Sequence, residues 1–598
     1  MIADARMMQV GESAVLIEVD GLPAVMDLAV RLRQWVNTSP LASDGVLGLV
    51  PAARTVMVRY DPALLSPRDI ARVVDGRDSA TSTNGVPAHV PGRDVTIPVV
   101  YDGEDVDAVA RLWGVSEQAV VDWHMAGPWT AAFCGFAPGF AYLARVGGDA
   151  GNHGRDVPRL PTPRTRVPGG AVGLAGRFSG VYPRESSGGW RLIGRTDVVM
   201  WDESRDSPAL VRAGDRVFFT PARESVRVPS HVDEPHAVDS HEAASDDGRS
   251  HAERTCATES SADRCDAGGS RRRGLIVEMT GMAALFEDDG RSAGDMGVAD
   301  SGALDPVAFH TANELVGNDP GAAAIEITAG GARVKALGDV VVAVAGAPIP
   351  ISIVSENGMA IPVLDQRPVL LLDGERMVLG HPARGWRDYL AIQGGFRVDS
   401  VLGSASRDTM SGIGPRPLAR GDLAEAADGN HATVGKPLGW GVSSDGDASD
   451  DGNTSDGDAP ETLDVILGPR DDWFLPDSVA DFLSSVWTVT ARSNRVGLRL
   501  ADGPALRRTV GQEIASEATV PGAIEVPSDG MPVVFLRDQP VTGGYPVVAV
   551  LSTESLRRAG QLPVGARVSF RPVGTRSDAD GRRNGDGCID DSERGGLA

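Results

Sequence analysis

The chain has 598 residues, too many for one hydrophobic core, and its 42% hydrophobic and 23% charged content is ordinary for globular protein. A formal net charge of −25 excludes a general binder of nucleic acid or anionic membrane, because neutralising phosphate needs the opposite sign. With 73 glycines and 40 prolines against 5% aromatics, many short strands joined by tight turns are expected.

Residues 1–94 alternate strand-like segments at 14–19 and 56–60 with helical ones at 23–36 and 67–74. In the first helix Val25, Leu28, Ala29, Leu32 and Val36 recur at helical spacing and give one apolar face. This unit reads as a small α+β domain. Residues 95–224 open with a strand at 95–101 and two short helices at 106–113 and 117–124. Gly114 ends the first helix and Ser116 caps the second. Strands and Gly/Pro turns follow. Residues 225–273 are rich in Ser, Asp, Glu, His and Arg, cannot bury enough apolar surface to offset chain entropy, and are expected to be a disordered linker. Residues 274–574 return to strands and turns, with one helix at 306–316. A polar stretch at 424–460 reads as a disordered insertion, and 575–598 as a disordered tail. The class is mainly β with α+β, built of β-barrel domains behind the small first unit.

The cysteines, Cys134, Cys256, Cys265 and Cys588, are widely spread and form no disulfide framework, which suits a reducing compartment. Residues 1–10 show no signal-peptide pattern, and the apolar run from Val340 is broken by Gly346, Pro348 and Pro350. A cytoplasmic protein with no membrane partner is expected. Only Lys335 and Lys436 are lysines, so lysine-assisted nucleophiles have few sources. Gly435-Lys436 is followed by Pro437 and makes no Walker A loop, and no biotin-carrier Met-Lys-Met or HExxH occurs. His251, Cys256 and Cys265 match no common zinc spacing, so no metal is expected.

Chemistry concentrates in a few segments. In Phe133-Cys134-Gly135-Phe136-Ala137-Pro138-Gly139-Phe140-Ala141-Tyr142-Leu143, two Gly-Phe pairs around a proline place bare backbone beside aromatic faces. Such a turn suits N–H groups offered to an oxyanion, or simply a packed core corner. In the next segment, Arg159 precedes Pro161-Thr162-Pro163-Arg164-Thr165-Arg166-Val167-Pro168-Gly169-Gly170. On an extended strand Arg164 and Arg166 share one face, about 7 Å apart. Paired guanidinium groups suit a carboxylate or phosphate, or surface ion pairs on an acidic protein. Tyr182-Pro183-Arg184-Glu185-Ser186-Ser187-Gly188-Gly189-Trp190 adds hydroxyls, a glycine turn and an aromatic wall. His124, closing a short helix, suits either proton transfer or a favourable helix end. Further on, Ser493-Asn494-Arg495 and Thr542-Gly543-Gly544-Tyr545 group neutral donors, a guanidinium and backbone suited to orienting a small amide. Asp305, Asn313 and Glu326 read as structural, with Asp305 capping the helix that follows Pro306.

The first three segments, in this order, closely resemble the allophanate hydrolase subunit 1 family, which includes the B subunit of 5-oxoprolinase and KipI-type proteins. The second half resembles the subunit 2 family, which includes the C subunit and KipA. The matching pieces there include Ser301-Gly302-Ala303-Leu304-Asp305, Ala391-Ile392-Gln393-Gly394-Gly395-Phe396, Ser516-Glu517 and Thr542-Gly543-Gly544-Tyr545-Pro546. Two departures stand out: a shortened loop between Arg291 and Gly297, and Gln539-Pro540-Val541 in place of a more polar run. The resemblance implies a cyclophilin-like β-barrel after the first domain and ATP-dependent opening of 5-oxo-L-proline to L-glutamate. It also implies Mg2+ with the ATP and a separate A subunit of the LamB/YcsF type, without which the chain is inactive. Under that reading Arg164 and Arg166 clamp anions, the Phe136–Phe140 turn supplies backbone donors, and His124 moves protons. Related domains in urea carboxylase and the regulatory KipI/KipA proteins leave two alternatives open: an amide carboxyltransferase component and a kinase regulator.

Overall fold

The computed structural model describes residues 5–76, 92–145, 155–222, 272–429, 459–509, 511 and 514–574. The first unit is an antiparallel sheet in spatial order Arg6–Val10, Ala14–Glu18, Thr55–Tyr60, Val46–Pro51. Helices Leu22–Thr38 and Pro67–Val74 cover one face, and the first buries Val25, Leu28, Ala29 and Leu32 as their spacing predicts. Trp35, rather than Val36, completes that buried face, because the larger ring reaches the core. Strand side chains alternate, so Val15 and Ile17 meet the helices while Ala14 and Leu16 meet Val520, Phe535 and Val547 far along the chain. An unbroken apolar run thus marks a strand buried on both sides.

The second unit is a seven-stranded sheet wrapped around one core, closed at one edge by the parallel pair Asp94–Val99 and Arg216–Pro221. Gly114 ends helix Val106–Trp113 in the left-handed conformation, and Ser116 Oγ accepts the Ala119 N–H at 3.2 Å. Both caps are as expected. The second half of the chain contains two cores. Six- and five-stranded sheets pack face to face around Leu275, Ile325, Val342 and Leu390. Helix Pro306–Leu315 lies outside, its first turn capped by Asp305 Oδ1, which accepts from Ala308 N–H at 3.2 Å. The last unit is a closed seven-stranded barrel filled by Phe482, Trp487 and Phe570.

The expectation that an insertion starts at 424 is corrected. Strand Leu423–Glu425 pairs with Gly274–Thr280, and Ala424 and Ala426 are buried, so 424–429 belong to the sheet. The rest of that stretch as far as 458, the linker up to 271, the tail, and His251, Cys256, Cys265 and Cys588 lie outside the described residues. Cys134 is a buried thiol whose pKa burial pushes up to about 12. Among the described residues no helix is long and apolar enough to cross a membrane.

The two halves are joined by more than the connecting chain. The outer face of the first sheet and the last barrel share an apolar cluster containing Met8, Met57, Ala518 and Val541. Arg470, buried at its edge, pairs with Glu18 at 3.0 Å and with Glu517. Ala53 N–H donates to Ser516 O at 3.1 Å, and Gly139 N–H to Met296 O at 3.1 Å. These contacts bring the Gly-Phe turn against the second half.

Candidate functional site

The turn from Gly135 to Phe140 links the paired strands Trp129–Cys134 and Ala141–Ala144. Phe136 adopts a positive φ of 61° and Gly139 one of 74°. For phenylalanine that conformation costs about 1–2 kcal/mol, so the surroundings must enforce it. The enforcing contact is a hydrogen bond from Phe136 N–H to Thr542 Oγ1 at 3.0 Å, across 406 residues of chain. The other N–H groups are also taken: Gly135 donates to Phe140 O, Ala137 to Gly135 O, Phe140 to Ala137 O and Gly139 to Met296 O. The expected backbone oxyanion donors are therefore corrected. The turn instead fixes two phenylalanines and anchors a threonine from the other half.

Between the halves lies a cavity of about 110 Å³, walled by Phe136, Phe140, Tyr142, Tyr182 and Trp190 and by the backbone of Gly188-Gly189 and Gly543-Gly544. Phe140 is the hub, meeting Phe136, Tyr142, Tyr182 and Trp190 edge-on at centroid distances of 5.3, 5.1, 5.3 and 5.2 Å. Three polar groups complete the lining: Arg159, Ser516 and Thr542. The Tyr142 hydroxyl has Ser516 and Thr542 as side-chain partners, and burial holds its pKa above the usual phenol value. Thr542 accepts from Phe136, so its own proton is directed toward Tyr142 or the cavity. Arg159 forms no ion pair with any described residue. The site is one guanidinium, unpaired among the described residues, and the four hydroxyls of Tyr142, Tyr182, Ser516 and Thr542 in an aromatic box.

Gly135 sits against Thr542 so closely that a Cβ there would stand 2.6 Å from Thr542 Cγ2. Gly135→Ala is expected to push Thr542 off the wall and to destabilise the chain by about 1–2 kcal/mol, because the Phe136 N–H bond that enforces the strained turn is lost with it. Thermal melts beside the parent measure this; an unchanged melting temperature would contradict it.

Beneath the Gly543-Gly544 backbone lies Glu525, buried, with Oε1 accepting from Tyr545 N–H at 3.1 Å and a further hydrogen bond from Gly544 N–H. Burial pushes its pKa up to about 7, against about 4.3 in an unfolded chain. Between those values the folded state holds a proton that the unfolded state has released. Stability from this group is therefore present at low pH and declines as pH rises toward 7. Glu525→Gln keeps the acceptor without the charge. It is expected to be less pH-sensitive than the parent, gaining up to about 3 kcal/mol relative to it between pH 5 and 8. Denaturant melts at the two pH values measure this; parallel curves for both proteins would contradict it.

Several anticipated residues stand elsewhere. Arg164 pairs with Glu104 at 2.7 Å and Asp105 at 2.8 Å, and Arg166, 76% exposed, pairs with Glu185 at 2.7 Å. They share a strand face but each meets its own acid, so the joint anion clamp is corrected. His124 is fully buried, bonded through Nδ1 to the Tyr101 hydroxyl at 2.7 Å and through Nε2 to Ser179 Oγ at 2.8 Å. Burial, helped by the Arg145 charge, pushes its pKa down to about 3, so it is a neutral core histidine away from the cavity. Ser493 Oγ accepts from Arg499 N–H and Asn494 Oδ1 from Val496 N–H, which closes a turn, and Arg495 belongs to a buried ion network. None of these three lines the cavity. Tyr545 stacks near Arg508, and Ser187 is exposed on a short strand. Gly169 and Gly170 shape the wall indirectly: Gly170 N–H donates to Tyr182 O at 2.7 Å, and Gly169 packs on the Arg184 backbone. Arg159, Phe136, Phe140, Gly188, Gly189, Thr542, Gly543 and Gly544 are brought together, with Gly135 and Gly139 supporting the turn.

Asp305, Asn313 and Glu326 are structural, as read from sequence. Asn313 Nδ2 donates to Ala322 O at 2.6 Å, and Glu326 accepts from the Tyr389 hydroxyl at 2.7 Å. Glu525, Ser516 and the Tyr142 hydroxyl escaped the sequence reading as site groups. A lone glutamate inside the apolar strand Ala523–Glu525 was the available signal for the first.

Two family models of the carboxyltransferase class match this chain. Carboxyltransferase subdomains C and D match residues 5–211, and subdomains A and B match 296–572. The chain is 33% identical over 307 residues to the C subunit of 5-oxoprolinase from Escherichia coli (strain K12), covering 50% of this chain and 90% of that protein. It is 35% identical over 226 residues to the B subunit of 5-oxoprolinase from Escherichia coli O157:H7, covering 37% of this chain and 98% of that protein. The crystal structure of TTHA0988 superposes with a TM-score of 0.71 at 30% identity, covering 94% of this chain and all of that one. The urea amidolyase of Lachancea kluyveri is 31% identical over 318 residues, 50% of this chain but 17% of that protein. The chain belongs to the carboxyltransferase-domain family of the 5-oxoprolinase B and C subunits, here joined in one polypeptide.

Proposed function

We propose that the chain is the fused B–C component of a cytoplasmic, ATP-dependent 5-oxoprolinase, opening 5-oxo-L-proline to L-glutamate with a separate A subunit. The observation that carries this reading is the cavity itself. Its one guanidinium suits a carboxylate, its hydroxyls suit a lactam, and its aromatic walls suit ring methylenes. With Arg159 holding the carboxylate, the lactam oxygen faces Ser516, Thr542 and Tyr142, which donate to charge developing there.

Amide resonance and easy ring closure both resist hydrolysis, and ATP, with Mg2+, supplies the driving force. Transfer of the terminal phosphoryl group to the lactam oxygen forms an O–P bond and releases ADP. Water adds at the activated carbon, the C–N bond breaks, and the nitrogen leaves as the protonated amine. A further water splits the resulting acyl phosphate into glutamate and phosphate. The chain's part is to orient the lactam and exclude competing solvent. Combining the chain with an A-type partner, ATP and 5-oxoproline should release glutamate, and neither component should do so alone. No glutamate, while an authentic B–C pair works with the same partner, refutes the reading.

The likeness to urea amidolyase supports a second reading, a carboxyltransferase component acting on urea with a biotin carrier supplied by another chain. Urea- and biotin-dependent turnover, with no response to 5-oxoproline, would favour it.

A further inference from the structure

Four glycines line the small cavity, two from each half of the chain: Gly188 and Gly189, then Gly543 and Gly544. None of them has a φ in the left-handed region, so backbone conformation does not call for glycine at any of the four. Packing calls for it at two. A Cβ on Gly188 would run into the Tyr182 hydroxyl, and one on Gly543 into the Glu525 carboxyl group.

The other two are different. Apart from its chain neighbours, a Cβ on Gly544 would meet a single heavy atom within 4 Å among the described residues, Arg159 Nη1 at 3.9 Å. One on Gly189 would meet Leu160 O at 3.7 Å and Arg159 Cβ and Pro163 Cγ at 3.8 Å, all ordinary contact distances. Alanine therefore fits both positions, and it would favour folding, because glycine loses more backbone freedom than any other residue. What glycine keeps there is empty space, and that space borders Arg159, the head group at Gly544 and the stem at Gly189. Leu160 N–H donates to Gly189 O at 2.8 Å and fixes the Arg159 segment in this place. A carboxylate oxygen bonded to a guanidinium nitrogen stands about 2.8 Å from it. A methyl group 3.9 Å from Nη1 would fill the room that such a carboxylate needs.

We propose that Gly544 is a specificity-determining position: its bare backbone leaves the Arg159 guanidinium open to the carboxylate of a small ring, and a side chain there turns the cavity toward lactams that lack one. This deepens the 5-oxoprolinase reading and rests on it, since it takes the cavity as the lactam site.

The test is calorimetric titration of the full chain, alone and with an A-type partner, using two probes: 5-oxo-L-proline and 2-pyrrolidinone, the same ring without the carboxylate. The parent should hold 5-oxoproline at least about tenfold more tightly. Gly544→Ala should melt at or above the parent temperature, lose about tenfold in affinity for 5-oxoproline and stay within twofold for 2-pyrrolidinone. Gly544→Ser should show the same selective loss and guards against a peculiarity of one variant. Gly188→Ala is the contrast: it displaces the Tyr182 wall and should weaken both probes alike. Arg159→Ala should erase the preference of the parent, and adding Gly544→Ala to it should cost nothing further, because both act on one contact. Affinity for 5-oxoproline within twofold of the parent in both Gly544 variants, an equal loss of both probes, or a further tenfold loss in the double variant would each overturn this inference and leave the 5-oxoprolinase reading standing. A parent that holds neither probe, with or without the partner, would refute the cavity as the lactam site and both readings with it.

Discussion

An Arg495→Ala chain is expected to lose about 3–5 kcal/mol of stability and to collect largely in the insoluble fraction. Arg495 is buried among three acids: it pairs with Glu326, with Glu287 at 3.2 Å and with Asp538 at 3.1 Å, and donates to Gly302 O at 2.7 Å. Burial would raise the Glu326 carboxyl, yet Arg495 and Arg387 together hold it below its usual value. Glu287, with a smaller share of that charge, is driven well above the carboxylate range by burial. Removing the guanidinium leaves Arg387 as the remaining cation paired with Glu326 in this cluster. Arg495→Lys should recover part of the loss, because an ammonium supplies charge but not the fork that reaches three acids. Chemical denaturation of the soluble fraction measures the difference. A melting temperature within a degree or two of the parent would show that the network is dispensable.

The second large effect falls on activity. Arg159→Ala is expected to lower kcat/KM for 5-oxoproline by about ten- to a hundredfold, mainly through KM, the cost of a lost charge-assisted carboxylate contact. Folding should be unaffected, because Arg159 is exposed and forms no ion pair with a described residue. Arg164→Ala and Arg166→Ala serve as contrasts. The first breaks two ion pairs with Glu104 and Asp105 and should cost stability before it costs substrate binding, and the second should change little. If Arg159→Ala stays within twofold of the parent while Arg166→Ala fails, the carboxylate is held elsewhere.

The contrast between Arg159 and its neighbours shows where sequence reading stops. That several arginines in one segment could hold an anion is legible from residue type. Which of them remains available depends on where the acids fold back to: Asp105, 59 residues away, beside Arg164, and Glu185 beside Arg166. His124 failed for a related reason. Its helix-end position was readable, but the barrel core that surrounds it and strips it of charge is assembled from Tyr101, Ser179 and Phe219.

The mainly β class, the helices with their caps at Ser116 and Asp305, the Gly114 stop, and the family likeness all lie within short windows of chain. There, backbone sterics, capping chemistry and apolar periodicity act between near neighbours, and the residue string carries the whole cause. The candidate site is of another kind. Phe136 and Thr542 meet only because an apolar face of the first sheet finds its match in the last barrel. Burial, charge pairing and the closing of a cavity are properties of that meeting, since each depends on what lies across space rather than along the chain.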